Sequence, residues 1–215
     1  SIDSRTLKKG ELFVCIQGDR FDGHNFIKEA QDKQAAAIVL SEESEMGRVR
    51  GKAPVVIRVK NTLKALQELA LFYRKKMPVK VIGITGTNGK STTKEMTAAI
   101  TEKKFKTIKT KGNLNNHIGL PLNIFDLSKT DEIAVMEMGM SAAGEIKRLA
   151  EIAKPEIGVV TNISDGHLVH LNTLKKVQAA KGELFDYLSE KETEIVNADD
   201  RLFLELAKAV LAKGI

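Results

Sequence analysis

One cysteine in 215 residues leaves no internal disulfide to form, so a disulfide framework is excluded and a reducing, cytoplasmic setting is expected. Cys15 lies in the apolar run 12–16, which marks it as a small core residue rather than a nucleophile. Long apolar runs are also missing. None approaches the roughly 20 residues of a membrane helix, and the opening Ser1-Ile2-Asp3-Ser4-Arg5 carries no secretory apolar region. A membrane span is therefore excluded, and 42% hydrophobic with 29% charged residues fits a soluble globular chain. Aromatics are scarce where positive charge is densest. Lys103, Lys104, Lys106, Lys109 and Lys111 crowd together in a chain of net charge +6, yet little aromatic interleaving accompanies them. That pattern predicts a solvated basic face and no nucleic-acid partner, although its field would attract a polyanionic nucleotide. No internal repeat or low-complexity stretch is present.

The length predicts one large or two small domains. Residues 1 to 77 read as a small mixed α/β domain, with strands at 12–16, 36–40 and 54–59 and a helix at 26–34. From 61 to 76 the apolar positions Leu63, Leu66, Ala70, Tyr73 and Met77 recur every three or four residues, the stripe of a helix buried on one side. Pro78 ends it, placing a boundary near 77. Strand and helix then alternate: strands 79–85, 132–137, 157–162 and 193–197, helices 90–103, 144–153 and 173–188. Such alternation predicts a parallel sheet covered on both faces, with ligands at the carboxyl ends of its strands.

Gly86, Glu137 and Asn162 fall at those ends. Gly86-Thr87-Asn88-Gly89-Lys90-Ser91-Thr92 follows an apolar strand and opens a helix, the context of a phosphate loop. Its glycines let backbone amides approach phosphate, the helix start adds positive potential, Lys90 would meet the β- and γ-phosphates and Ser91 a magnesium ion. The general pattern G-x-x-x-x-G-K-[ST] is incomplete, because Ile84 stands where its first glycine should be, which argues against an ordinary kinase or GTPase loop. Glu137 brings a hard oxygen ligand beside the loop, suited to magnesium unless it is a solvent-exposed strand end. His167 and His170 both follow the third strand of this series, and spacing does not choose between them. Lys181 occupies a position on the stripe Leu174, Val177, Leu184, Leu188 where an apolar residue should fall. Either its amine snorkels outward, or it is partly buried with a lowered pKa, nucleophilic, and able to form a carbamate that binds a second magnesium. Asn113, Asn115 and Asn116, in a run ending helix-like at Pro121, form a turn or offer amides to a polar substrate.

Taken together, the phosphate loop, Met-Glu-Met-Gly around Glu137, Asn-x-x-x-x-His-Leu ending at Leu168, Ala-Lys-Gly-Glu-Leu-Phe around Lys181 and Val196-Asn197-Ala198-Asp199-Asp200 resemble the Mur ligases, ATP-dependent amide-forming enzymes of peptidoglycan precursor synthesis. Lys-Gly-Asn-Leu-Asn-Asn-His-Ile-Gly-Leu-Pro is similar to the member that adds D-Ala-D-Ala to UDP-N-acetylmuramoyl-tripeptide. Asp3-Ser4-Arg5, Gly10-Glu11-Leu12-Phe13 and Phe21-Asp22-Gly23-His24 are similar to its UDP-substrate domain, which the diamino-acid-adding member shares. The resemblance implies ATP and Mg2+ as cofactors, with one metal on Ser91 and Glu137 and another on His167 and the carbamate of Lys181. It implies Lys90, Lys181 and His167 as catalytic residues, and Ser4, Arg5, Asp22, His24 and the three asparagines as substrate contacts. A monomer is expected. Because the family carries a further C-terminal domain, a chain stopping at Ile215 is expected to be a truncated ligase, inactive alone. The alternatives are another member of the family, the diamino-acid-adding ligase, and a non-catalytic nucleotide-sugar-binding module, the latter disfavoured by the pairing of two metal sites.

Overall fold

The computed structural model describes residues 1–18, 21–43, 54–164 and 173–200. It is an α/β protein of two units, each built on a parallel sheet.

In the first unit, strands β1 (Leu12–Val14), β2 (Ala37–Ser41) and β3 (Val55–Val59) pair in that order, all parallel, with Phe13 beside Ile38 and Ile38 beside Val56. Parallel neighbours need a crossover between them. A 3-10 turn, Gly23–Phe26, and helix α1 (Ile27–Asp32) provide the one between β1 and β2. Leu7, Phe13, Cys15, Ile27, Ala30 and Leu40 form the core. Cys15 is buried within it, and burial, helped by the charge of Asp22, pushes its thiol up to about 12, leaving no thiolate at neutral pH.

Helix α2 (Thr62–Arg74) begins where Asn61 Oδ1 accepts the backbone N–H of Lys64 at 2.8 Å, an N-terminal cap. The division between units falls inside this helix, after Leu69, rather than near 77. The reason is packing: Ala70, Tyr73 and Met77 join the core of the second unit. The buried Arg74 donates there to the carbonyls of Met77, Ala153 and Lys154 at 3.0, 2.6 and 3.2 Å.

The second unit orders its strands β5-β6-β4-β7-β8, all parallel: β4 (Lys80–Thr85), β5 (Thr107–Lys109), β6 (Ile133–Glu137), β7 (Ile157–Val160) and β8 (Thr193–Val196). Helix α3 (Lys90–Thr101) covers one face, where Ile82, Ile84, Val135 and Ala98 meet. Helices α4 (Gly119–Phe125), α5 (Glu145–Ala153) and α6 (Leu174–Tyr187) carry the opposite core with Val81, Ala134 and Met136. Residues alternate between the faces and both sides are apolar, as in a doubly covered sheet. β5 lies outside the elements expected from the sequence, while α4 begins in the run read there as ending helix-like at Pro121. β5 runs through the basic cluster, where Lys106, Lys109 and Lys111 form ion pairs with Asp131, Glu95 and Asp126. The cluster is thus a charged sheet edge of the kind that resists unwanted strand pairing. No described helix is long and apolar enough to cross a membrane.

Candidate active site

β4 delivers the chain to Gly86 with φ +143°, and a Cβ there would lie 1.9 Å from Thr161 Oγ1. Only glycine fits this close crossing. Gly89, at φ +79°, turns the chain into α3. The segment after β7 braces the loop between them. Thr87 N–H donates to the Asn162 carbonyl at 3.0 Å, Asn88 N–H to Asn162 Oδ1 at 2.9 Å, and Thr161 Oγ1 to the Asn88 carbonyl at 2.6 Å. Lys90 Nζ donates back to the carbonyls of Gly86 and Thr87 at 2.9 and 3.0 Å, so its ammonium lies against the loop. Burial lowers its pKa, opposed by the charge of Glu137. Ser91 and Thr92 are exposed in the first turn of α3.

Glu137 ends β6 and is 2% exposed, so the solvent-exposed reading of this strand end is overturned. Its Oε2 accepts from Ser91 Oγ at 2.9 Å and its Oε1 from Asn115 Nδ2 at 2.8 Å. Its backbone N–H donates to Thr110 Oγ1 at 2.8 Å. The ammonium of Lys94 lies 3.6 Å from Oε2. Asn115 therefore orients Glu137, and Asn116 Oδ1 accepts from Ile118 N–H and Gly119 N–H at 3.1 and 2.8 Å, capping α4. Asn113 is exposed. A cavity of about 280 Å³ beside the loop is lined by Lys90, Asn115, Asn116, His117, Met140 and Glu145.

Lys181 is 1% exposed, so its amine does not snorkel. Burial, then the nearby charge of Lys90, lowers its pKa to about 8, and no described residue accepts a hydrogen bond from it. Two residues on, Glu183 accepts the N–H groups of Gly144 and Lys147 at 2.6 and 3.0 Å. Helix α6 thereby fixes the start of α5, next to the loop that lines the cavity. His167 and His170 lie outside the described residues.

The first unit holds its own cleft, about 460 Å³, lined among others by Ile2, Ser4, Arg5, Ile16, Phe21 and Phe26. Ser4 Oγ donates to Glu29 Oε2 at 2.8 Å, and Arg5 forks onto Asp3 with its Nε and Nη2. Asp22 accepts from both the backbone N–H and Nδ1 of His24, at 2.9 and 2.6 Å. Because His24 Nε2 accepts the N–H of Ser41 at 3.0 Å, Nδ1 is the protonated nitrogen. His24 and Asp22 thus fix the wall of the cleft. Lys33 ties down the Ser4 and Arg5 carbonyls at 2.7 and 2.8 Å.

This geometry can be set beside known proteins. A Mur ligase middle domain matches residues 84–215, and a Mur ligase family catalytic domain matches residues 1–74. The chain belongs to the Mur ligase family. Among curated members, it is 42% identical over 200 residues to the UDP-N-acetylmuramoyl-tripeptide--D-alanyl-D-alanine ligase of Bacillus subtilis, covering 93% of this chain and 43% of that one. To the ligase of the same name from Escherichia coli it is 39% identical over 213 residues, covering 99% and 46%. This Mur ligase chain thus spans less than half the length of these relatives. Among solved structures, MurF from Acinetobacter baumannii superposes with a TM-score of 0.89 at 31% identity, over 99% of this chain and 46% of that one. The MurF ligase of Thermotoga maritima in complex with ADP gives 0.87 at 32%, over 99% and 48%.

Within this Mur ligase chain, sequence reasoning passed over Lys94, Thr110, His117 and Glu183. Lys94 carried a usable signal: with Ala98 it forms the buried stripe of α3, the same anomaly that singled out Lys181. Thr110 lies in a loop with no periodicity to betray it.

Proposed function

We propose that this chain forms the nucleotide-sugar- and ATP-handling part of a ligase that adds D-Ala-D-Ala to UDP-N-acetylmuramoyl-tripeptide in peptidoglycan precursor synthesis. The observation that carries the reading is the convergence of Ser91, Asn115 and Lys94 on the buried carboxylate of Glu137 beside the Lys90 loop. The names of the relatives at 39–42% identity support it. ATP would lie with its phosphates on the loop, Lys90 turning from the Gly86 and Thr87 carbonyls to phosphoryl oxygens.

Magnesium fits the pair Ser91 and Glu137, a hydroxyl and a carboxylate oxygen 2.9 Å apart at a helix start and a strand end. No group of three His, Cys, Asp or Glu side chains suited to a metal occurs among the described residues, so phosphate and water would complete the shell, as magnesium prefers. The ion supplies charge neutralisation at the transferring phosphoryl group. His167 and the carbamate of Lys181 belong to the same reading as a second magnesium site. Its support is the buried amine, which carries a neutral, nucleophilic fraction near neutral pH.

The tripeptide's terminal carboxylate attacks the γ-phosphorus and releases ADP. The amine of D-Ala-D-Ala then adds to the acyl-phosphate carbon, losing a proton, and the tetrahedral intermediate expels phosphate to leave the amide. The cleft of the first unit suits the uridine and diphosphate, with Phe21 and Phe26 as apolar faces and Ser4 and Arg5 at its polar edge. A cytoplasmic monomer is part of this reading.

Calorimetry of the 215-residue chain with UDP-N-acetylmuramoyl-tripeptide and with ADP and Mg2+ tests the two sites. Phosphate release by a chimera carrying residues 1–215 in place of the matching segment of the Bacillus subtilis relative tests turnover. Release requiring D-Ala-D-Ala supports the proposal. Release with a diamino acid instead reassigns the chain to the sister ligase, and binding without release makes it a nucleotide-sugar-binding module.

A further inference from the structure

The carboxylate proposed to hold magnesium already has a cation at its side. Lys94 is 2% exposed on the inner face of α3. Its Nζ lies 3.6 Å from Glu137 Oε2, 3.3 Å from Glu95 Oε1 and 3.4 Å from the Gly112 carbonyl. Glu95 is shared with Lys109 at the surface, so it does not cancel Lys94 for the interior. Lys90 also acts on Glu137 through space. The other groups donating to the Glu137 side chain, Ser91 and Asn115, are neutral. Among the described residues, the surroundings of Glu137 therefore carry more positive than negative charge.

A divalent ion approaching this carboxylate meets repulsion from a fixed ammonium a few ångströms away, in a setting where water screens poorly. Nucleotide phosphates reverse that balance. We infer that Lys94 makes divalent-cation binding at Glu137 conditional on nucleotide, offsetting the carboxylate's charge until phosphate arrives with the metal. The inference rests on the proposed metal role of Ser91 and Glu137 and adds to it a residue that sets when the metal enters. A residue that only braced the carboxylate would do the opposite: its removal would weaken the metal site under all conditions.

The test is a Mn2+ titration of the 215-residue chain followed by electron paramagnetic resonance, with Mn2+ standing for Mg2+. The wild-type chain is expected to take no Mn2+ below about millimolar concentration without nucleotide, and to gain a site when ADP is added. Lys94→Met is expected to bind Mn2+ without nucleotide about tenfold more tightly or better. Lys94→Arg, which keeps the charge, should behave as wild type, and Glu137→Gln added to Lys94→Met should abolish the gain. Circular dichroism checks folding, and Lys94→Gln replaces the methionine variant if that one does not fold. Equal Mn2+ binding by the wild type with and without ADP overturns the inference, as does a folded charge-removing variant with no gain. If Glu137→Gln alone binds Mn2+ and ADP as the wild type does, the metal assignment itself fails, and the inference falls with it.

Discussion

Replacing Lys181 by methionine should stabilise this protein at neutral pH, even though it removes a residue proposed for catalysis. Lys181 is 1% exposed on α6, whose other buried residues include Val177, Ala180, Leu184 and Phe185. Its pKa falls from 10.5 to about 8, chiefly by loss of hydration and secondarily through Lys90. In the unfolded chain the group keeps its ordinary value. Between about pH 8 and 10.5 the unfolded state therefore holds more protons, and stability rises with pH through that window. Below it the full penalty applies, about 3 kcal/mol for a shift of this size. Methionine has similar length and no charge, so Lys181→Met should gain up to about 3 kcal/mol near pH 6.5, and the gain should shrink towards zero by about pH 10.5. Urea denaturation of both proteins at several pH values in CO2-free buffer measures this, since their difference cancels the other titrating groups. Adding bicarbonate should stabilise only the wild type if a carbamate forms. A variant less stable than wild type at pH 6.5, or a difference that does not change with pH, would refute the reasoning.

Three further outcomes follow from the geometry. Arg74→Met strips donors from the carbonyls of Met77, Ala153 and Lys154 and should cost about 3 kcal/mol in urea denaturation; a loss under about 1 kcal/mol contradicts the role given to it. Gly86→Ala places a Cβ 1.9 Å from Thr161 Oγ1 at φ +143°, so ADP affinity measured by calorimetry should fall at least about tenfold; unchanged affinity would show that the loop relaxes freely. Thr85 Oγ1 is buried with no hydrogen-bond partner among the described residues. Thr85→Val, which keeps the branched shape, should therefore stabilise by about 1 kcal/mol, and a clear loss of thermal stability would reveal a partner for the hydroxyl.

The alternating strands and helices of the second unit were legible because strands covered on both faces read as continuous apolar runs between helical stripes. β5 was not. Its three residues, Thr107 to Lys109, lie among lysines at a sheet edge where one charged side chain in three is tolerated, and nothing in so short a run distinguishes an edge strand from a loop. The stripe of α2 was visible, but periodicity reports that a face is buried, not which core buries it. The sequence boundary near 77 and the structural division after Leu69 differ for that reason. The asparagine-rich segment was legible as chemistry and not as roles: Asn115 orients Glu137, 22 residues away in the chain, while Asn116 caps α4 through the nearby N–H groups of Ile118 and Gly119.

The buried lysines show how far a single physical signal reaches. Lys181 was found because an amine stood where α6 required an apolar side chain, and Lys94 stands in the same relation to Ala98 on α3. Burying an ammonium is unfavourable unless something compensates, so each such position implies a partner. For Lys94 the partner is Glu137, with Glu95 as a second contact nearer the surface. For Lys181 no described carboxylate fills that place, the charge of Lys90 adds to the effect of burial, and the compensation takes the form of a lowered pKa. One lysine therefore lies beside a carboxylate, while the other, with no described counter-charge, is driven towards its neutral, nucleophilic form. The division follows from which of the two has a counter-charge in reach, and helical periodicity cannot supply that information.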